Sequence, residues 1–148
     1  MSQKQKKGLV LDDPRKQFTF ALFTAILGVT PIDLYETEDR ITFLVTPKDF
    51  KKIKNKPPYV LTRLSSELRK NVDIVIYSDN LELFVKNLFR PAQVESIHHK
   101  VLQDGKKALY VKVPVWDRGK ALGKNSYKLY RARYFLLKFF GIDYVNVF

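Results

Sequence analysis

Gly123-Lys124-Asn125-Ser126 is the segment whose residue types and spacing best suit chemistry, and the chemistry is the grip of an anion. A short helix is expected just before it, after Trp116-Asp117, and a long one directly after it, over 127–140. The turn therefore opens onto a helix N-terminus, where unsatisfied backbone N–H groups and the positive end of the helix dipole attract a phosphate. Lys120 before the turn, Lys124 within it and Lys128, Arg131 and Arg133 after it add side-chain charge. At about 100° per residue, Leu129, Ala132, Phe135, Leu136 and Phe139 fall on one face of the long helix, and Tyr127, Arg131, Tyr134 and Lys138 on the opposite one. Interleaved tyrosines and cations stack bases and neutralise phosphates, so the ligand this pattern suggests is a single-stranded nucleic acid.

Composition agrees with a polyanion as partner. Lys and Arg number 27 against 15 Asp and Glu, a formal net charge of +12 over 148 residues. With 45% hydrophobic residues the chain has the material for a core, and its length suits one ordinary domain or two small ones. There is no cysteine, which removes disulfides, thiol catalysis and cysteine-based zinc sites together.

Other chemistry finds little footing. His98-His99 would point to opposite faces of a strand, one solvated and one half-buried, with no further ligand to make a metal site. Ser65 and Ser66 have no partner base, Glu36 and Glu38 read as solvated carboxylates near a turn, and Asp117 reads as a helix cap. No Walker-type phosphate loop is present. The expectation is a non-enzyme with no cofactor, no metal and no small-molecule substrate.

A membrane role is weaker still. No apolar run approaches the roughly 20 residues that span a bilayer. Lys4, Lys6 and Lys7 precede a very short Leu9-Val10-Leu11 patch, without the longer apolar region and small-residue cleavage site of a signal peptide. The chain is therefore expected in the cytoplasm, with residues 1–13 as a flexible basic arm.

From residue 14 onward the elements that must position the turn can be read in order. Asp13-Pro14 starts a helix and Gly28 stops it; Phe18, Phe20, Leu22, Phe23, Ile26 and Leu27 lie on more than one side, which predicts a largely buried helix. Strands over 33–37 and 40–46 form a hairpin around Glu38-Asp39, helices follow at 48–53 and about 58–70, and Asp73 to Tyr77 is a strand. The second half repeats this order: a helix capped by Ser78-Asp79 and stopped by Pro91, strands near 93–101 and 107–114 around Asp104-Gly105, the two helices flanking Gly123, and a strand at 143–147. Asp49 to Asp117 spans 68 positions, Ile53 to Leu122 spans 69 and Asp73 to Asp143 spans 70. Drift of one residue per element is what small insertions in turns produce, so the chain reads as two copies of one α-β-β-α-α-β unit, residues 14–77 and 78–148.

Several segments then carry a family resemblance. They are Ile76-Tyr77-Ser78-Asp79-Asn80, Phe84-Val85-Lys86-Asn87-Leu88-Phe89, Pro91-Ala92-Gln93-Val94, Ala121-Leu122-Gly123-Lys124-Asn125, Lys128 to Arg133, and Phe140-Gly141-Ile142-Asp143. Together with the element order they resemble the tandem type II KH domains of the NusA transcription factors, over about residues 14–147. The implied fold class is α+β, each unit a three-stranded sheet packed on helices. A chain with little beyond the KH pair looks like the short archaeal form of that family. The resemblance implies binding of single-stranded RNA in transcription elongation or termination, with RNA polymerase as a further partner.

In KH domains the turn between the two helices is a GXXG loop that clamps a nucleic-acid backbone. The second unit keeps Gly123 but has Ser126 at the last position. If that position needs positive φ, serine costs about 1 kcal/mol and weakens or alters the grip. The first unit has Lys54-Asn55-Lys56-Pro57 at the aligned place, without glycine. Pro57 and Pro58 also lack the backbone N–H that would hold a phosphate. Lys52, Lys54, Asn55 and Lys56 are thus expected to make electrostatic contact, and Gly123 to Ser126 to clamp. The runner-up is a protein-interaction module that docks RNA polymerase or the ribosome, with RNA secondary; membrane-surface binding by the basic arm comes third.

Overall fold

The computed structural model describes residues 14–148, so the basic arm and the Asp13 cap lie outside the described residues. The chain divides between Tyr77 and Ser78 into two compact units. The first unit runs α1 (Pro14–Leu27), β1 (Asp33–Glu36), β2 (Arg40–Val45), α2 (Pro47–Lys54), α3 (Tyr59–Leu68) and β3 (Asn71–Ile76). In the second come α4 (Leu81–Phe89), β4 (Ser96–Val101), β5 (Lys107–Lys112), a 3-10 turn (Val115–Asp117), α5 (Arg118–Leu122), a second 3-10 turn (Lys124–Ser126), α6 (Tyr127–Phe140) and β6 (Tyr144–Val147). Both units have the α-β-β-α-α-β order of a type II KH-like fold.

Each sheet has three strands in sequential order, β1-β2-β3 and β4-β5-β6. A short hairpin makes the first pair antiparallel, with Asp33 opposite Leu44 in one unit and Ser96 opposite Lys112 in the other. The second pair is parallel, Arg40 opposite Asn71 and Ala108 opposite Tyr144, because a helix pair must carry the chain back across the sheet before it can pair again. The inter-helix turn therefore lies midway along that crossover in both units.

In the first unit the core gathers Phe23 and Leu27 of α1 with Leu34, Ile41, Phe43, Val45, Ile53 and Leu64. Phe23 and Phe43 set their rings 4.2 Å apart. The burial of α1 is narrower than its composition suggests. Thr19, Phe23 and Leu27 form a single buried stripe at i, i+4 and i+8, and Phe18 is 66% exposed. α2 starts as its sequence dictates: the Thr46 hydroxyl accepts from the Asp49 N–H at 3.1 Å, with Pro47 in the first turn.

In the second unit Phe84, Val85 and Leu88 of α4, Leu109 and Val111 of β5, Phe135 and Leu136 of α6, and Val145 of β6 are all buried. Phe84 and Phe140 stack at 5.6 Å. Asn80, not Ser78-Asp79, caps α4, its side chain accepting from the Leu83 N–H at 2.9 Å while the Ser78 hydroxyl accepts from the Asn80 N–H. Gly141 ends α6 in the left-handed region at φ 67°. Both His98 and His99 are exposed, and no cluster of metal-ligating side chains occurs among the described residues. Nor is any described helix long and apolar enough to cross a membrane.

Candidate nucleic-acid interface

The chain between α5 and α6 takes a conformation that only particular residues accept. Gly123 sits at φ 75° and ψ 174°, a region essentially restricted to glycine, and its N–H closes on the Gly119 carbonyl at 2.9 Å. A Cβ there would stand 3.1 Å from Lys128 Cγ and 3.4 Å from the Lys128 backbone nitrogen. Asn125 and Ser126 follow at φ 56° and 59°, two successive left-handed residues before α6 resumes the right-handed helix at Tyr127. Asparagine is one of the few side chains that visit this region readily; serine is less suited. The turn projects Lys124 and Asn125 into solvent.

Because Ser126 is left-handed, Ser126→Gly is expected to raise the stability of the second unit by about 1 kcal/mol, with denaturant unfolding as the measurement. A stability unchanged or lower would mean that the hydroxyl contributes more than the strain takes away.

The cations around this turn divide into two groups. Lys120 is exposed on α5, its ammonium 3.9 Å from Asp117 Oδ1, and Lys124 is exposed in the turn. Arg133 is exposed on α6, where its Nε donates to the Val145 carbonyl at 3.1 Å and its guanidinium lies 5.6 Å from the centroid of Tyr130. Lys128 and Arg131 are different. The Lys128 ammonium donates to the Arg90 carbonyl at 2.7 Å and the Lys120 carbonyl at 3.0 Å, bracing the ends of α4 and α5. Arg131 is 3% exposed, and its Nη2 donates to the Leu88 carbonyl at 2.9 Å.

The helical-face reading of α6 is thereby corrected. Its buried stripe is Tyr127, Arg131, Ala132, Phe135 and Leu136, so Tyr127 and Arg131 face the core and not the ligand. Arg131 is excluded from direct phosphate contact by burial. Lys128 acts as a strut of the loop, with its charge already committed to carbonyls. Asp117 is corrected too: its side chain makes no cap bond to α5 and instead accepts from the Gln93 N–H at 2.9 Å.

The first unit's turn has no left-handed residue. Asn55 ends α2 at φ −82°, its N–H on carbonyls of Ile53 and Lys51, and Pro57 and Pro58 lead into α3. Lys54 and Asn55 are exposed, and Lys52 is exposed with its ammonium 3.9 Å from Asp49 Oδ1. Lys56 is half-buried; its ammonium lies 3.7 Å from where a Cβ on Gly28 would be, close to the C-terminal end of α1, whose dipole favours a cation. Beside this turn lies a cavity of about 340 Å³ between α2, α3 and β3, lined by Phe50, Ile53, Lys54, Val60, Leu61 and Ile74 among others. The sequence placed the charges but not this apolar cleft, which arises only when β3 closes against the helix pair.

Sequence reasoning also missed the most exposed apolar pair of the second unit. Val115 is 74% exposed and Trp116, the single tryptophan of the chain, 79%. A tryptophan two residues after Pro114, at a strand-to-helix junction, was the available signal.

Comparisons with known proteins bear on this site. No protein-family model matches the chain. It is 27% identical over 127 residues to the probable transcription termination protein NusA of Halococcus morrhuae, covering 86% of this chain and 90% of that one. The proteins of the same name from Methanococcus vannielii and Methanocaldococcus jannaschii are each 26% identical, over 76% and 84% of this chain and 64% and 68% of their own lengths. The chain is NusA-like, similar to archaeal proteins of that name. Its fold has a solved counterpart as well, the crystal structure of APE1850, at 33% identity and a TM-score of 0.74 over 89% of this chain and 96% of that one. A NusA-like chain whose relatives are named as termination proteins thus carries one well-formed Gly-Lys-Asn-Ser turn and one turn without glycine.

Proposed function

We propose that the protein binds single-stranded RNA and acts on nascent transcripts in termination or elongation, with residues 14–77 and 78–148 as two KH domains. The observation that carries this reading is the turn at Gly123, whose glycine-only backbone and two left-handed residues hold Lys124 and Asn125 outward at a helix N-terminus. Lys120, Lys124, Asn125, Ser126 and Arg133 form the second domain's contact. Lys52, Lys54, Asn55 and Lys56 attract the strand electrostatically in the first domain, where prolines replace the N–H donors. The action is binding, not catalysis, in the cytoplasm where RNA polymerase delivers the transcript.

The test is fluorescence anisotropy of a labelled single-stranded RNA at several salt concentrations. If three phosphates are held, log K falls against log salt with a slope near −2, from about 0.7 per phosphate, and duplex RNA competes poorly. A Lys124→Asp/Asn125→Asp chain that remains folded is expected to lose most of the affinity. Equal, weak binding by both chains would make the turn structural and sink the reading.

A second reading has one observation in its favour. Val115 and Trp116 form an exposed apolar tip of the kind that anchors protein interfaces. Docking to RNA polymerase or the ribosome through this tip predicts that Trp116→Ala abolishes polymerase or ribosome co-sedimentation and leaves RNA affinity unchanged. Loss of RNA affinity alone would assign the tip to RNA.

A further inference from the structure

The second sheet has a face turned away from its helices, and the pairing register sets out what it carries. Lys100, Ala108 and Tyr144 form one row across the strands, and His98, Tyr110 and Asn146 the next. Alternation puts both rows opposite the buried side chains of Leu109, Val111 and Val145. Tyr144 remains 44% exposed there, and His98, Lys100, Lys112 and Asn146 are exposed with it.

Ala108 is the small member of this grid and is only 1% exposed, covered by its larger neighbours. Its methyl lies between the positions of Tyr144 on the neighbouring strand and Tyr110 two residues along its own, where a larger side chain would fill the gap. From here a shallow cavity of about 440 Å³ runs round the edge of β6, lined by Ala108, Tyr110, Tyr144, Val145, Asn146 and Arg133. Its chemistry suits a flat aromatic ligand: the half-exposed Tyr144 offers an aromatic ring, and the Asn146 carboxamide offers both a donor and an acceptor.

The charge around the slot selects among flat ligands. Lys106 holds its ammonium 5.8 Å from the centroid of Tyr144, and Arg133 reaches over the unpaired edge of β6 to the Val145 carbonyl. Lys100 and Lys112 stand on the same face. The lining carboxylate, Asp143, already accepts from the Lys107 N–H at 2.9 Å. A slot beside an exposed tyrosine with cations around it is complementary to a nucleobase in a polyanionic strand. Arg133 also lies about 9 Å along α6 from its first residue, so one strand can touch both the turn and this edge.

We infer that the open face of the β4-β5-β6 sheet is a second contact surface for single-stranded RNA, with a base stacked on Tyr144 in the cavity at the β6 edge and the flanking phosphates held by Lys100, Lys106 and Arg133. The inference rests on the reading of the chain as a single-strand binder, but not on the turn at Gly123 being the clamp.

The experiment compares labelled RNAs of about four nucleotides, the length a KH loop holds, and about twelve. Tyr144→Thr, which keeps a β-forming residue on the strand, is expected to weaken the longer RNA about tenfold and leave the shorter unchanged. Tyr144→Phe keeps the stacking face and restores the affinity. Equal binding of both RNAs by wild type and Tyr144→Thr overturns the inference and leaves the face to another class of partner. Equal weakening of both RNAs, or no rescue by phenylalanine, overturns it as well. The turn is judged separately: if Lys124→Asp/Asn125→Asp leaves the short RNA unaffected while Tyr144→Thr still weakens the long one, the clamp falls and the open face stands.

Discussion

A Gly123→Ala chain is expected to lose RNA affinity by more than tenfold and to destabilise the second unit by about 1–3 kcal/mol, the range for a side chain forced into sparsely populated backbone. Two independent constraints meet at this residue. The backbone at φ 75° and ψ 174° excludes a Cβ on local steric grounds, and the added methyl would press on Lys128 at 3.1 Å. The strain can be relieved only if the turn moves, and moving it displaces Lys128 from the carbonyls of Arg90 and Lys120 that it braces. Either way the geometry that presents Lys124 and Asn125 is lost. Amide exchange of β5 and β6 measures the stability of this unit alone, and anisotropy measures the binding. Unchanged exchange together with unchanged affinity would mean that the turn's conformation serves neither folding nor function.

Much of this architecture was legible before any coordinates, because its signals are local. Pro14 and Gly28 bound α1, Gly141 ends α6, and strand alternation from Ile41 to Val45 marks β2; each needs only its neighbours in sequence. The copy-to-copy offsets of 68 to 70 positions then make each half evidence for the other. The loop pattern raises positive φ at Ser126 only as a condition, and nothing in it requires the same conformation at Asn125 directly before; the structure has both.

What could not be read depends on partners distant in sequence. Lys128 meets the Arg90 carbonyl across 38 positions, and α6 shows apolar residues on several sides, so a helical wheel alone does not choose the buried one. Packing against α4 chose it. His98 and His99 also depart from the pattern: alternation predicts one face in and one out, yet both are exposed. Tyr110 and Tyr144 sit in ordinary strand patterns, and their adjacency around Ala108 follows only from the parallel register of β5 and β6.

Arg131 supplies the sharpest separation between a binding residue and a positioning one. Arg131→Leu is expected to destabilise the second unit by about 2–3 kcal/mol, the scale of a charge-assisted hydrogen bond removed from a buried acceptor. The guanidinium joins α6 to α4 through the Leu88 carbonyl and lies 5.8 Å from the centroid of Tyr127, the first residue of α6. A planar, weakly hydrated cation tolerates such burial better than an ammonium, so Arg131→Lys is expected to recover little of the loss. If Arg131 only positions the helix, RNA binding measured where the variant is still folded keeps the wild-type salt slope. If instead stability is unchanged and the slope becomes shallower by about 0.7, one phosphate contact has been removed, and Arg131 reaches the RNA through an opening of the α4–α6 contact. The two outcomes move different observables in opposite patterns, so a single variant decides whether the positive charge of Arg131, one turn into α6, belongs to the core or to the ligand.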